Sequence, residues 1–112
     1  MKVIGTSSPF GSRARTRVLL ALQLTNESYA RELARLLELS LSGVQKALVS
    51  LERDGLVAGR SVGRTRVFRL NPRLYGGPEL ERFLEKLLKP EAALRARTAE
   101  LRRRARRTGK PL

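Results

Sequence analysis

The spacing of apolar residues indicates a helix near the start of the chain. Between Arg13 and Leu24 apolar side chains recur at every third or fourth position, as they do on one face of a helix: Ala14, Val18, Leu19 and Leu22. Ser12 is a favourable N-cap residue, and Thr25-Asn26 offers a stop. The pattern therefore predicts a first helix over residues 13–24.

Two further helices are predicted before the apolar period changes. The second runs from Ser28 to Glu38, and the third follows a short break at 39–42 and ends near Asp54. The predicted buried positions of the second helix are Tyr29, Leu33, Ala34 and Leu37, and its predicted outward positions are Arg31, Glu32, Arg35 and Glu38. The predicted buried positions of the third helix are Val44, Ala47, Leu48 and Leu51. Gly55 stands where a left-handed residue commonly ends a helix.

After Gly55 the apolar period shortens from 3.6 to 2, which is typical of strands. Residues 56–58 and 65–70 are predicted to pair as a hairpin around a turn that contains Gly63. Asn71-Pro72 ends the second strand, because proline cannot continue the hydrogen-bond ladder. Helices followed by a small hairpin indicate a mainly α fold of the α+β class.

A second apolar stripe follows the hairpin. Its members fall at helical spacing: Leu80, Phe83, Leu84, Leu87 and Leu88. Pro90 interrupts this helix, and a basic run occupies 102–107. We divide the chain into a turn-rich leader (1–12), a main domain (13–76) and a C-terminal amphipathic helix with a basic tail (77–112). The stripe either covers the domain's own core or pairs two copies as a dimer, which is the interpretation we favour.

Composition adds a strong charge imbalance, since 24 Lys and Arg face only 10 Asp and Glu, for a net charge of +14. Such a chain attracts polyanions: nucleic acid, an anionic membrane surface or an acidic protein. The alternative is that the arginine excess only reflects the base composition of the genome.

Several classes of function are disfavoured by what the composition lacks. Cys and His are both absent, which removes disulfides, the usual zinc ligands, thiol nucleophiles and histidine acid–base chemistry. No phosphate-binding glycine loop is recognisable. We therefore expect neither an enzyme nor a metal or cofactor site. No secretion signal is recognisable, and the longest apolar run, Val18 to Leu22, is too short to span a bilayer. We expect a cytoplasmic, nucleoid-associated protein without a membrane partner.

Three segments resemble winged helix-turn-helix transcriptional regulators of the ArsR and MarR type. They read YARELA at 29–34, LSLSGV at 39–44 and LVSLERDGLV at 48–57, and the hairpin at 59–70 continues the likeness. The resemblance implies a recognition helix at about 41–54, which enters the major groove of double-stranded DNA, and a wing at about 56–70. It also implies that a homodimer binds a two-fold operator. Metal sensing through the Cys and His ligands of ArsR proteins is excluded here, and the sequence identifies no effector.

The outward positions of the implied recognition helix supply the base-contact candidates. These are Ser42, Gln45, Lys46 and Ser50. Gln45 ranks first, because its amide can both donate to and accept from adenine. The alternative is that Ser42 caps the helix and Gln45 completes a capping box. Lys46 either reaches guanine or a phosphate, or is simply solvated.

The candidates for contact with the DNA backbone lie at the start and end of that helix and around the wing. They are Ser40, Arg53, Arg60, Arg64, Thr65 and Arg66. Three arginines around one small turn repel each other unless a polyanion is near. Ser40 and Ser42 compete for helix capping. The run 102–107 is either an additional phosphate-binding tail or a solubilising one.

These features together predict a dimeric DNA-binding transcriptional regulator. Two alternatives stay open at this point: an architectural protein that coats DNA with little sequence preference, and a winged-helix module that binds an acidic protein. A comparison of one selected duplex with bulk DNA distinguishes the first alternative, and a lack of DNA affinity at about 100 mM salt favours the second.

Overall fold

A computed structural model describes residues 8–107 of the chain; residues 1–7 of the predicted leader and residues 108–112 of the predicted tail lie outside the described part. The described part is mainly helical and carries one small antiparallel sheet, so the predicted α+β class is confirmed. Its helices are α1 (Arg13–Thr25), α2 (Ala30–Leu37), α3 (Leu41–Arg53), α4 (Gly77–Leu88) and α5 (Ala92–Arg107). Its strands are β1 (Ser28–Tyr29), β2 (Val57–Val62) and β3 (Thr65–Leu70).

The first helix lies at the centre of the molecule. All five residues of the apolar run from Val18 to Leu22 are buried, and a helix that is apolar on every side has to be surrounded by other elements. α2, α3, α4, α5 and β3 all contact it. The Ser12 hydroxyl accepts a hydrogen bond from the backbone N–H of Arg15 at 3.1 Å, which confirms the predicted N-cap.

A tight turn joins α2 to α3. Glu38 ends α2 in the left-handed conformation, with φ of 57°, and the next N–H, that of Leu39, donates to the Ala34 carbonyl. From α5, Arg97 Nε donates to the Leu36 carbonyl at 2.9 Å and so satisfies an acceptor at the end of α2. The buried residues of α3 are the predicted ones: Val44, Ala47, Leu48 and Leu51.

The sheet has one more strand than the sequence predicts. β2 and β3 form the predicted hairpin, but Ser28 and Tyr29 pair with Phe68 and Val67 on the other edge of β3, giving the order β1-β3-β2. The prediction of helix at residues 28 and 29 is therefore wrong. A segment of two residues is too short to show an apolar period, and its extended conformation is fixed by pairing with β3.

The two C-terminal helices complete the core of the main domain. Leu84 and Leu88 of α4 and Leu94 of α5 are fully buried together with α1. Two members of the predicted dimer stripe thus face the interior of a single chain, which is the alternative that the sequence left open. Leu80 and Leu87 pack partly against the same core. Phe83 is 42% exposed, and its ring centroid lies 5.8 Å from that of Phe10.

A buried ion pair attaches α5 to α2. Glu32, predicted to face outward, is 1% exposed and accepts hydrogen bonds from the Ser28 hydroxyl and from Arg102 Nη2, the latter at 3.0 Å. The same guanidinium nitrogen donates to the Glu27 carbonyl at 2.6 Å. Arg102 is the first residue of the predicted basic tail, so this part of the tail belongs to the fold instead. Arg103 and Arg104 both pair with Glu100 on α5.

Candidate nucleic-acid interface

The outward face of α3 is polar apart from one valine. Ser42, Gln45, Lys46, Val49 and Arg53 are all exposed, and their spacing places them on one side of the helix. Neither the Gln45 amide nor the Lys46 ammonium bonds to another described residue. Arg53 makes no ion pair with the described part of the chain. These side chains are therefore available to a ligand.

Two serines of the predicted site make hydrogen bonds within the protein instead. The Ser40 hydroxyl caps α3 by accepting a hydrogen bond from the Gly43 backbone N–H at 3.1 Å. Ser42 is thus not the N-cap, and the alternative capping box with Gln45 does not form. The Ser50 hydroxyl accepts from Arg15 Nη1, which also pairs with Asp54 at 2.9 Å. Ser40 and Ser50 fix the start of α3 and its packing against α1.

A groove of about 540 Å³ runs between α3, the β2–β3 hairpin and the start of α2. Gln45 and Val49 of α3 line it, as do Arg64, Thr65 and Arg66 of the hairpin. The chain thus brings the leading base-contact candidate together with three of the predicted wing residues. We call this region, together with the exposed face of α3, the helix–hairpin groove.

Arg66 is held against the hairpin and α3. Its guanidinium lies 5.0 Å from the centroid of the Phe68 ring and donates to both Glu52 carboxylate oxygens, at 3.1 and 3.0 Å. Directly across the ladder from Phe68 is Gly59, where a Cβ would lie 2.9 Å from Phe68 Cε2 and closer still to Arg66 Nη2. The sequence analysis did not anticipate this arrangement. A glycine inside a strand was the available signal, because it marks a close approach.

The ion pair changes the acid–base properties of both partners. The hydrogen bond from Arg66 lowers the pKa of Glu52 and outweighs its partial desolvation, and the charge of Arg66 and the Gly59 N–H lower the pKa further. Glu52 in turn raises the pKa of Arg66. Because the pKa of Glu52 is lower in the folded state than in the unfolded state, its contribution to stability is complete above its ordinary pKa. That contribution is lost as the pH falls through the lowered value.

We expect Gly59→Ala to separate Arg66 from Glu52, since the added methyl occupies the space of the guanidinium. An NMR titration of the Glu52 side chain should then show its pKa returning toward the ordinary value, and the stability of the variant should fall less steeply in acid. Ser61→Ala, on the same face of β2, is the matched control and should leave the pKa low. A low Glu52 pKa in the Gly59 variant would contradict this account.

The three predicted wing arginines differ in their contacts and do not form one cluster. Arg60 lies on the opposite face of the hairpin from Arg66 and binds the Glu27 carboxylate through two hydrogen bonds of 3.0 Å. Arg64 is exposed beside Gly63, which adopts φ of 63° in the turn, and pairs with no acidic group in the described residues. Thr65 is also exposed. Of the three predicted wing arginines, Arg64 is therefore the most available to an anion.

Within residues 8–107, no cluster of three or more His, Cys, Asp or Glu side chains is placed to hold a metal ion. In the same part of the chain, no helix combines the length and the apolar character needed to cross a bilayer. A scan against models of protein families finds none that matches this chain, and no curated protein matches it either.

Proposed function

We propose that this protein is a winged helix-turn-helix transcriptional regulator that binds double-stranded DNA. In this proposal α3 is the recognition helix and the β2–β3 hairpin is the wing. The observation that carries the proposal is the helix–hairpin groove, where the exposed polar face of α3 lies beside Arg64 at the tip of the hairpin.

The dimensions of α3 suit the major groove. A helix of 13 residues is about 20 Å long, and the major groove of B-DNA, about 12 Å wide, admits one helix with its side chains. Ser42, Gln45 and Lys46 are exposed in the first half of α3, which is the part that a recognition helix presents to base edges. In this proposal the hairpin beside it contacts the sugar–phosphate backbone.

The charges around the groove favour a polyanion. Four exposed cations of the groove have no acidic partner among the described residues: Arg31, Lys46, Arg53 and Arg64. The one carboxylate in the groove lining, Glu52, is neutralised by Arg66. Four uncompensated cations on one surface repel each other in the absence of ligand. Phosphates remove this repulsion and release their own counterions, which makes binding depend on salt.

The separate roles of Gln45 and Arg64 can be tested with two variants. Gln45→Ala should weaken binding to a selected duplex by about 1–3 kcal/mol and change binding to random duplex little, because only base contacts carry sequence information. Arg64→Ala should weaken both alike and reduce the slope of log affinity against log salt by about 1. Fluorescence anisotropy across a salt series measures both quantities.

The matched control for Arg64 is Arg82→Ala. Arg82 is 71% exposed on α4 and pairs only with Glu79 within the described chain, so removing it changes net charge equally but away from the groove. If Arg82→Ala lowers affinity as much as Arg64→Ala does, the charge of the whole particle and not the groove drives binding. Affinity that does not change with salt would refute the proposal.

A second candidate function is an architectural protein that coats DNA. It is favoured by exposed arginines outside the groove that have no acidic partner in the described part of the chain: Arg13, Arg35, Arg69, Arg73 and Arg95. A specificity ratio near one between selected and random duplex would support it. The regulator requires a ratio of about 10³ or more.

We propose further that two copies act together on a two-fold site. Because Leu84 and Leu88 are buried, the exposed ring of Phe83 is the part of the predicted stripe that remains for contact between copies. Sedimentation of the protein with and without its duplex tests this part of the proposal. One copy per bound duplex would reject it.

A further inference from the structure

Among the large aliphatic side chains of the described residues, Val49 is the most exposed. It is 62% exposed in the middle of α3, whereas the apolar residues on the other side of this helix are at most 5% exposed. Phe83, which is less exposed, contacts Phe10, and Tyr75 carries a polar hydroxyl. Val49 has an exposed branched side chain with no polar group.

The stability of the fold does not explain a valine at this position. Branched residues lose side-chain freedom in a helix and form helices less readily than alanine does. The wall of the groove at Val49 is open, so the side chain gains little from burial in the free protein. An exposed valine at a helix centre is better explained by contact with a ligand.

The surroundings of Val49 restrict the chemistry of that ligand. Gln45 precedes it by one helical turn on the same wall of the groove, and Lys46, Arg53 and Arg64 surround both with positive charge. The partner must therefore be an anion that presents both a small apolar group and a paired hydrogen-bond donor and acceptor. In the major groove, thymine supplies the apolar group as its C5-methyl, and adenine supplies the donor and acceptor.

We propose that Val49 reads the methyl group of a thymine while Gln45 reads a nearby adenine. This inference rests on the proposed function and adds the chemistry of the sequence that α3 selects. Four residues of helix advance by about 6 Å, and base pairs are spaced by about 3.4 Å. The two recognised bases therefore lie within about two base-pair steps of each other, in a segment rich in A·T pairs.

Uracil substitution tests the methyl contact by itself. A duplex is first selected with the wild-type protein from a randomised pool, and each thymine is then replaced singly by uracil, which removes the methyl and keeps the base pair. At one thymine near the adenine that Gln45 contacts, uracil should weaken binding about fourfold, the effect of losing one buried methyl-sized group. With Val49→Ala the same uracil should have no further effect.

The outcomes distinguish a failed methyl contact from a failed fold and from failure of the proposed function. Val49→Ala replaces an exposed residue by a better helix former, so its melting temperature should equal or exceed that of the wild type. If uracil at every thymine has the same effect on both proteins, the methyl contact is refuted although sequence-specific binding stands. If no duplex binds at low salt, the proposed function itself fails. A selected sequence without A·T pairs also overturns the inference.

Discussion

Arg102→Met lowers the free energy of unfolding by about 3–5 kcal/mol, the cost expected when one partner of a buried ion pair is removed. Glu32 keeps its hydrogen bond from Ser28 in this variant but loses the positive charge that compensates its carboxylate. Because that carboxylate is 1% exposed and its partner only 25% exposed, water compensates little of the lost guanidinium. The Glu27 carbonyl loses its donor as well. Urea denaturation at neutral pH measures the change.

Two further variants separate charge from packing at this position. Arg103→Met, one residue along on the exposed side of α5, should cost less than about 1 kcal/mol, as exposed ion pairs do. Adding Glu32→Gln to Arg102→Met should recover part of the loss, because a neutral amide is less costly to bury than an unpaired carboxylate. Equal losses for the Arg102 and Arg103 variants would contradict a buried ion pair.

Leu88→Ala should destabilise the protein by about 2–5 kcal/mol, because it leaves a cavity where a fully buried leucine packs against α1. This effect should be the same at every protein concentration, since the contact lies within one chain. A leucine in a contact between copies would behave differently, because the stability of a dimer rises with concentration. Thermal unfolding at several concentrations distinguishes the two cases.

Leu87→Ala is the matched control for this substitution. Leu87 neighbours Leu88 on α4 but is only partly buried against the core, so its truncation should cost clearly less. A loss for Leu88→Ala that shrinks on dilution, or that is no larger than the loss for Leu87→Ala, would place the stripe in an interface between copies.

The elements with strong periodicity were predictable from the sequence. α1 begins at the predicted residue, Arg13, and α1 and α3 each end within one residue of the predicted end. α3 begins at Leu41, inside the break that the apolar spacing predicted at 39–42 and at the start that the resemblance implied. β3 has its predicted bounds, while β2 continues to Val62, beyond the predicted 56–58. Apolar spacing, an N-cap and a stop signal agreed for α1, and agreement among independent local signals is what makes an element predictable.

The contacts between distant segments were not predictable. A carboxylate on a helix indicates an outward position, and nothing near Glu32 in the sequence shows that a guanidinium 70 residues away makes its burial tolerable. Likewise, the apolar stripe of α4 indicates a buried face, but the sequence does not show which element packs against that face. In the structure this element is α1. The apolar run of α1 is too long for a single buried face, so α1 has a further apolar side against which α4 packs.

The candidate interface was predictable in part. Helical spacing identified the outward positions Gln45, Lys46 and Arg53 on α3, and turn chemistry identified Arg64. Spacing alone did not reveal which arginines already have acidic partners. Arg60 and Arg66 looked equivalent to Arg64 in the sequence, but Glu27 and Glu52, distant in the chain, bind them.

The attachment of α5 to the first third of the chain also bears on how the protein is made. Arg102 lies 70 residues beyond Glu32, and Glu91 lies 74 residues beyond its partner Arg17. At about 5–20 residues per second, a ribosome needs about 4–14 s to reach Arg102 after adding Glu32. During that interval the nascent chain carries a carboxylate that prefers water to the core. We therefore expect stable folding to await the emergence of α5 from the exit tunnel.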